Sequence, residues 1–200
     1  MRRHLIGLVL SAFSSGCART SMTSMPAPEL AGRSFHHILV VAGLADLGLR
    51  RDMELRIATH NSVGNYEFVP SHQIFFPGRQ YKPDEVASLL HEHQIDATLV
   101  VLPGDVGATS GYVPPTYTSG CTVWTSTQGC TQVTTTQTGG FTYSKPWAQF
   151  TASLYDANTG KAIWVATATT GGNAYARSTT LVRSMADKTA DRLVEDGVLR

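Results

Sequence analysis

Two segments of this chain are apolar almost without a break, residues 35–42 (FHHILVVA) and residues 96–102 (DATLVVL). Short runs of branched apolar residues, the second closed by Pro103-Gly104, predict central strands buried on both faces. Between them the period changes. Leu49, Met53 and Ile57 recur at four-residue spacing and predict one stripe of a helix from about Arg50 to Ser62, with Gly64 as its stop. Two shorter extended runs, 66–69 and 73–76, are separated by Pro70 and closed by Pro77-Gly78. A second helix opens at Pro83: Asp84 and Glu85 complement its positive end, and Val86, Leu89, Leu90 and His93 share a face. Further on, residues 149–155 and 161–170 alternate apolar with polar and are joined by Asp156-Ala-Asn-Thr-Gly160, the composition of a tight antiparallel hairpin. Leu181, Met185 and Leu193 mark a last helix over about 176–195. Strands alternating with helices predict an α/β fold, a mixed sheet of about five core strands flanked by helices.

Residues 103–147 break this pattern. They hold 12 threonines and only two charged side chains, Asp105 and Lys145. Thr alternating with Val, Tyr and Trp favours extended structure over a disordered insertion, so the segment predicts one or two β-hairpins added to the core. Uncharged hairpins lack the lysines that deter edge pairing, which makes this segment the candidate surface for a partner strand or a second copy. Trp124, Thr125, Thr127 and Val133 are the candidate contact residues. A solvated, purely decorative loop is the competing reading.

The amino terminus carries an address. Arg2 and Arg3 precede an apolar stretch, Leu5 to Phe13, and then Ser14-Ser15-Gly16-Cys17. A charged start, a short apolar core and small residues before a cut site form an export signal. Cysteine directly after Ser-Ser-Gly resembles the lipobox of bacterial lipoproteins, in which that cysteine becomes the first mature residue and takes the lipid; a plain secretory signal is the other reading. Residues 1–16 are thus expected to be the signal peptide and Cys17 the lipidated residue, whose acyl chains contribute about 0.8 kcal/mol of membrane binding per buried methylene. Ala18 follows, where enterobacterial lipoproteins held at the inner membrane carry Asp, and the expected place is the outer membrane, facing the periplasm. Residues 17–33, small, polar and Pro-bearing, are expected to form a flexible tether, and residues 34–200 a single domain.

The formal charge of +1 gives none of the basic excess on which nucleic-acid binding draws. Without Arg2 and Arg3 the mature chain has 14 basic against 15 acidic residues and is slightly acidic, which implies no attraction to anionic lipid. In an oxidising compartment the two remaining cysteines, Cys121 and Cys130, are expected to form a disulfide that would stabilise the insertion by about 2–3 kcal/mol. Two thiols without a neighbouring His or third Cys make a poor zinc set.

The lipobox-like start, the strand His-Ile-Leu-Val-Val, the segment Arg50-Arg-Asp-Met-Glu54, the run Ile95-Asp-Ala-Thr-Leu-Val-Val101 and the hairpin from Leu154 to Trp164 together resemble a group of small bacterial lipoproteins. Their domain is similar to the amino-terminal domain of the TolB protein and to the curli-secretion lipoprotein. The resemblance spans about residues 35–102 and 148–195 and leaves out the Thr-rich insertion. It implies an envelope assembly factor or a regulator of cell-wall synthesis, with no catalytic residue to carry over.

Candidate chemistry is sparse. His36 and His37 point to opposite sides of a strand, and His91 and His93 are two apart on a helix, so neither pair shares a face as metal ligands at i, i+4 do. No nucleophile elbow or phosphate loop is present. Gly171-Gly172 before the last helix is a turn or an anion-binding amino end. Arg51 and Glu54, three apart, are expected to pair across the helix surface. Trp164 is expected in the core and Trp124 exposed at a hairpin tip. The leading expectation is a non-enzymatic envelope lipoprotein that binds the membrane through its lipid and another envelope protein or itself through the insertion, with no cofactor and no metal. The alternative is a metal-binding protein or hydrolase with a composite site drawn from His36, His60, His91 or His93.

Overall fold

The two apolar runs become neighbouring strands inside one sheet; the first is buried almost throughout, whereas the second, expected to be buried on both faces, is buried on one, with Thr98 and Val100 half-buried and Leu102 49% exposed on the other. The computed structural model describes residues 17–30, 32–60, 65–125 and 129–199, and the backbone alone over 120–125 and 129–133. In chain order the elements are β1 (Ala18–Pro26), β2 (His37–Ala42), α1 (Leu47–Thr59), β3 (Glu67–Pro70), α2 (Pro83–Glu92), β4 (Ala97–Val113), β5 (Thr116–Thr125), β6 (Gly129–Thr138), β7 (Phe141–Asp156), β8 (Ala162–Gly172) and α3 (Ser178–Glu195). Six strands form a sheet in the order β1-β8-β7-β4-β2-β3, and β5 and β6 form a separate two-stranded sheet. β2 pairs in parallel with β3 and with β4, whereas β4–β7, β7–β8 and β8–β1 are antiparallel, so the sheet is mixed and the fold is α/β.

One face of the sheet makes the core. Ile38, Val40, Leu99, Val101, Leu154 and Trp164 are fully or almost fully buried there, packed with Met53 and Ile57 of α1 and Met185 and Leu193 of α3. α1 starts three residues before the apolar stripe predicts because the Asp46 side chain accepts a hydrogen bond from the Leu49 backbone N–H at 2.8 Å and caps the helix there. The β7–β8 turn forms as its composition predicts: Asp156 Oδ1 accepts from the Asn158 and Thr159 amides at 2.8 and 3.2 Å, and Gly160 supplies the positive φ of 67°. Trp164 is in the core as expected, its Nε1 donating to Asp196 Oδ2 at 2.7 Å.

Three expectations are corrected. Residues 18–26, expected as flexible tether, form β1, a nine-residue strand that covers the edge of β8 from Ala18↔Gly172 to Pro26↔Trp164. Its inward positions are Ala18, Thr20, Met22 and Ser24; Ala18 and Met22 pack against the core, and each of the two hydroxyls meets a partner. Thr20 Oγ1 lies 2.8 Å from both Thr170 Oγ1 and Ser184 Oγ, and Ser24 Oγ donates to Asp196 Oδ2 at 2.5 Å and accepts from Arg192 Nε at 2.6 Å. Composition resembles a linker while position-specific hydrogen bonding makes a strand. Residues 73–76 are no strand; the chain turns through a 3-10 helix, Ser71–Gln73, which carries Ser71 and His72 onto Glu54. Gly171 and Gly172 are the last residues of β8, paired with Arg19 and Ala18, and do not sit at the amino end of α3.

Candidate functional site

The most heavily bonded polar group in the core is one that spacing mispaired. Glu54 is fully buried, and its partner is Arg50 rather than Arg51, which is exposed. Glu54 Oε1 accepts from Ser71 Oγ at 2.6 Å, Arg50 Nε at 3.1 Å and the Ala42 amide at 3.2 Å; Oε2 lies 2.8 Å from His72 Nδ1. Burial alone would raise this carboxyl, but the bonds from Ser71, His72, Ala42 and Arg50 outweigh it and hold the group below the ordinary glutamate value. Every lone pair is spent on tying β2, α1 and the Ser71–Gln73 turn together, which leaves Ser71 and His72 in a structural role. Asp156 is likewise fully buried. Burial pushes it up, while the Asn158 amide, Arg33 and the Thr159 amide together keep it below its usual value.

The histidines do not converge. His37 begins β2 and His36 precedes it, both beside Asp96, whose carboxylate accepts from the His36 and His37 backbone amides at 2.7 and 3.2 Å. His60 caps α1 and lies 3.1 Å from Asp187 and 2.9 Å from Asp191 of α3, while His91 and His93 ride on α2 and its cap. Among the described residues no three His, Cys, Asp or Glu side chains come together to hold a metal. An open groove beside α2 is lined by Tyr81, Val86, Leu90, Ile95, Asp96 and Asn158. Among the described residues no helix is long and apolar enough to cross a membrane.

What distinguishes the molecule lies on the side of the sheet opposite the α1–α3 core and along its extension. On that face Ser21, Thr23, Gln149, Thr151, Thr167 and Thr169 form an uncharged polar surface across β1, β8 and β7. From there β4 and β7 continue as a two-stranded ribbon past the end of β8, pairing Ala108↔Pro146 through Val113↔Phe141. Trp147 lies over Gly107 and Tyr143 over Gly111, so close that a Cβ built on either glycine would fall within 3 Å of the ring above it. Glycine here is the cost of packing an aromatic ring flat on a thin ribbon. Lys145 stands over the Tyr143 ring at 5.1 Å.

Beyond Pro114-Pro115 and Gly139-Gly140 the strands β5 and β6 pair with each other, so both are edges. Among its described residues the insertion is therefore mostly strand, as its Thr alternation predicts, and residues 106–144 contain no charged side chain. Trp124, Thr125 and Val133 belong to this hairpin by backbone course, with their side chains outside the described residues, and Thr127 lies outside the described residues altogether. The cysteine side chains also lie outside them. The backbone register sets Cys121 opposite Val133 and Cys130 opposite Trp124. That offset of three positions is about 10 Å along a strand, beyond the reach of about 7 Å between Cα atoms that a disulfide allows. The expected Cys121–Cys130 bond has no support in this register.

Cys17 is exposed at the head of β1, its carbonyl accepting from the Asn173 amide at 2.9 Å. The anchor candidate thus adjoins folded structure with no linker between them.

No family model matches the chain, and no curated protein matches it. Among solved structures, the PelC dodecamer from Paraburkholderia phytofirmans is similar at 13% identity and a TM-score of 0.48, covering 90% of this chain and 99% of that one. The lipoprotein GNA1162 from Neisseria meningitidis is similar at 16% identity and a TM-score of 0.43, covering 80% of this chain and 99% of that one.

Proposed function

We propose that this protein is a lipid-anchored component of the bacterial envelope, held at Cys17 and facing the periplasm from the outer membrane, that acts by binding and not by catalysis. The observation that carries the reading is the exposed cysteine that leads directly into β1 and follows an export-type segment of the sequence. Its binding element is the charge-free insertion: β5 and β6 present two unpaired edges whose composition offers no repulsion to a further strand. The occupant is another envelope protein or a second copy of this chain. The dispersal of the histidines over separate carboxylates favours this reading over a composite metal or hydrolytic site.

Two measurements test it. Cys17→Ser should move the protein from the membrane to the soluble fraction, and globomycin should cause the uncleaved precursor to accumulate; if neither occurs, the lipid anchor is wrong. Single lysines placed at Thr134, Thr136 and Thr138 should abolish recovery of the partner in pull-downs from envelope extracts. Unchanged recovery from all three would remove the hairpin from the interface.

A further inference from the structure

Strand register fixes where the ribbon lies relative to the anchor. Arg19, Gly171, Trp147 and Gly107 form one row across β1, β8, β7 and β4. From that row Cys17 is two residues further along β1, about 7 Å at strand rise, and the end of the ribbon, Val113 and Phe141, is six residues further along β4 and β7, about 20 Å. Because β1 and β7 run in the same direction, both displacements point the same way. The ribbon therefore extends about 13 Å past the cysteine on the side to which the lipid is attached.

The chemistry of this end differs from that of the whole molecule. Tyr112, Phe141 and Tyr175 are 60%, 56% and 68% exposed, and Tyr143 and Trp147 are partly exposed beside them. Arg19, Lys145 and Arg177 are exposed around the same rim. Residues 17–28, 106–155 and 172–186 contain no acidic residue. Exposed aromatic side chains, all but Phe141 with one polar edge, flanked by Arg and Lys on segments free of carboxylates, are what the headgroup layer of a bilayer selects. The slightly acidic mature average conceals a segregated charge, with acids kept to the rest of the molecule.

We propose that the β4–β7 ribbon is a membrane-contact element: the bilayer that receives the Cys17 lipid is also the surface on which Tyr112, Phe141 and Tyr143 rest. With no tether between lipid and strand, the anchor sets the orientation of the domain as well as its location. This rests on lipidation of Cys17 and adds the face that meets the lipid. It also narrows the partner of the hairpin, which continues from the ribbon, to one at the membrane surface.

The test uses the full chain in its own envelope, with the photoreactive residue p-benzoylphenylalanine replacing Tyr112, Phe141 or, as control, Tyr155, which is 37% exposed on the same strand system near the opposite end of the sheet. After irradiation, phospholipid adducts are expected at positions 112 and 141 and none above background at 155. Equal background labelling at all three positions, in protein whose amino-terminal peptide carries its acyl chains, overturns the proposal. Adducts to protein in place of lipid at 112 and 141 overturn it equally. A peptide without acyl chains instead overturns the anchoring reading, and this orientation with it.

Discussion

Replacing Glu54 by leucine leaves Arg50, His72 and the Ala42 amide without the acceptor around which they are arranged. Breaking a buried pair from one side costs about 3–5 kcal/mol; Arg50 keeps some contact with water, so about 2–4 kcal/mol is expected from urea unfolding of Glu54→Leu. The same site sets a pH dependence. The carboxyls of Glu54 and Asp156 are both lowered in the folded state, so the stability that their ionisation contributes is fully present above their ordinary values of about 4. It is lost as pH falls through the lowered values. Stability should hold from neutrality to about pH 5 and drop below about pH 4, and Glu54→Gln should flatten that acid limb; an unchanged limb would remove Glu54 from its cause. Little of this site was legible in the sequence. Helical spacing says that Glu54 can reach either Arg50 or Arg51, and only the turn that carries Ser71 and His72 over the helix decides which face is buried. Asp156, by contrast, was visible as a turn residue because its function is local.

Elements were legible where their side chains are large and missed where they are small. β2 and the first part of β4 follow from uninterrupted apolar runs, and β7 and β8 from alternation across an Asp-Ala-Asn-Thr-Gly turn. β1 offers no such signal, since its inward Ala18, Thr20, Met22 and Ser24 have the composition of a linker; the partners of Thr20 and Ser24 on α3 and at its carboxyl-terminal cap, Ser184 and Asp196, lie 164 and 172 positions away in sequence. The distinction is measurable. A tether exchanges its amide hydrogens at the rate of an unfolded chain, whereas the amides of β1 that bond to β8 should be protected nearly as well as those of β7. Deleting Ala18–Pro26 should cost several kcal/mol and expose the edge of β8, leaving a protein prone to associate through it. Full stability without these residues would return them to the role of linker. The ion pairs between α1 and α3, Arg56 with Asp187 and Arg183 with Asp52, are exposed and screened by solvent, and breaking either should leave the urea midpoint nearly unchanged.

At the scale of the molecule, the core and the insertion are separable by design of the chain. The ladder of β4 and β7 closes on its own, because the Gly140 amide donates to the Val113 carbonyl at 2.8 Å and Gly139 and Gly140 take the positive φ that a close return requires. Beyond that closure β5 and β6 pair only with one another. Excising residues 116–138 would join Pro115 to Gly139 and leave a four-residue connection, Pro114-Pro115-Gly139-Gly140, between strands already in register. The shortened protein should therefore unfold within about 0.5 kcal/mol of the intact one, the range expected where no buried contact is lost. It should still fractionate with membranes, since Cys17 and the ribbon remain, and it should fail to recover the partner. Loss of stability would show that the hairpin is part of the fold. Loss of the membrane fraction would place membrane attachment in the hairpin. Retention of the partner would move the binding surface onto the uncharged sheet face of Thr151, Thr167 and Thr169, the other large area from which charge is missing.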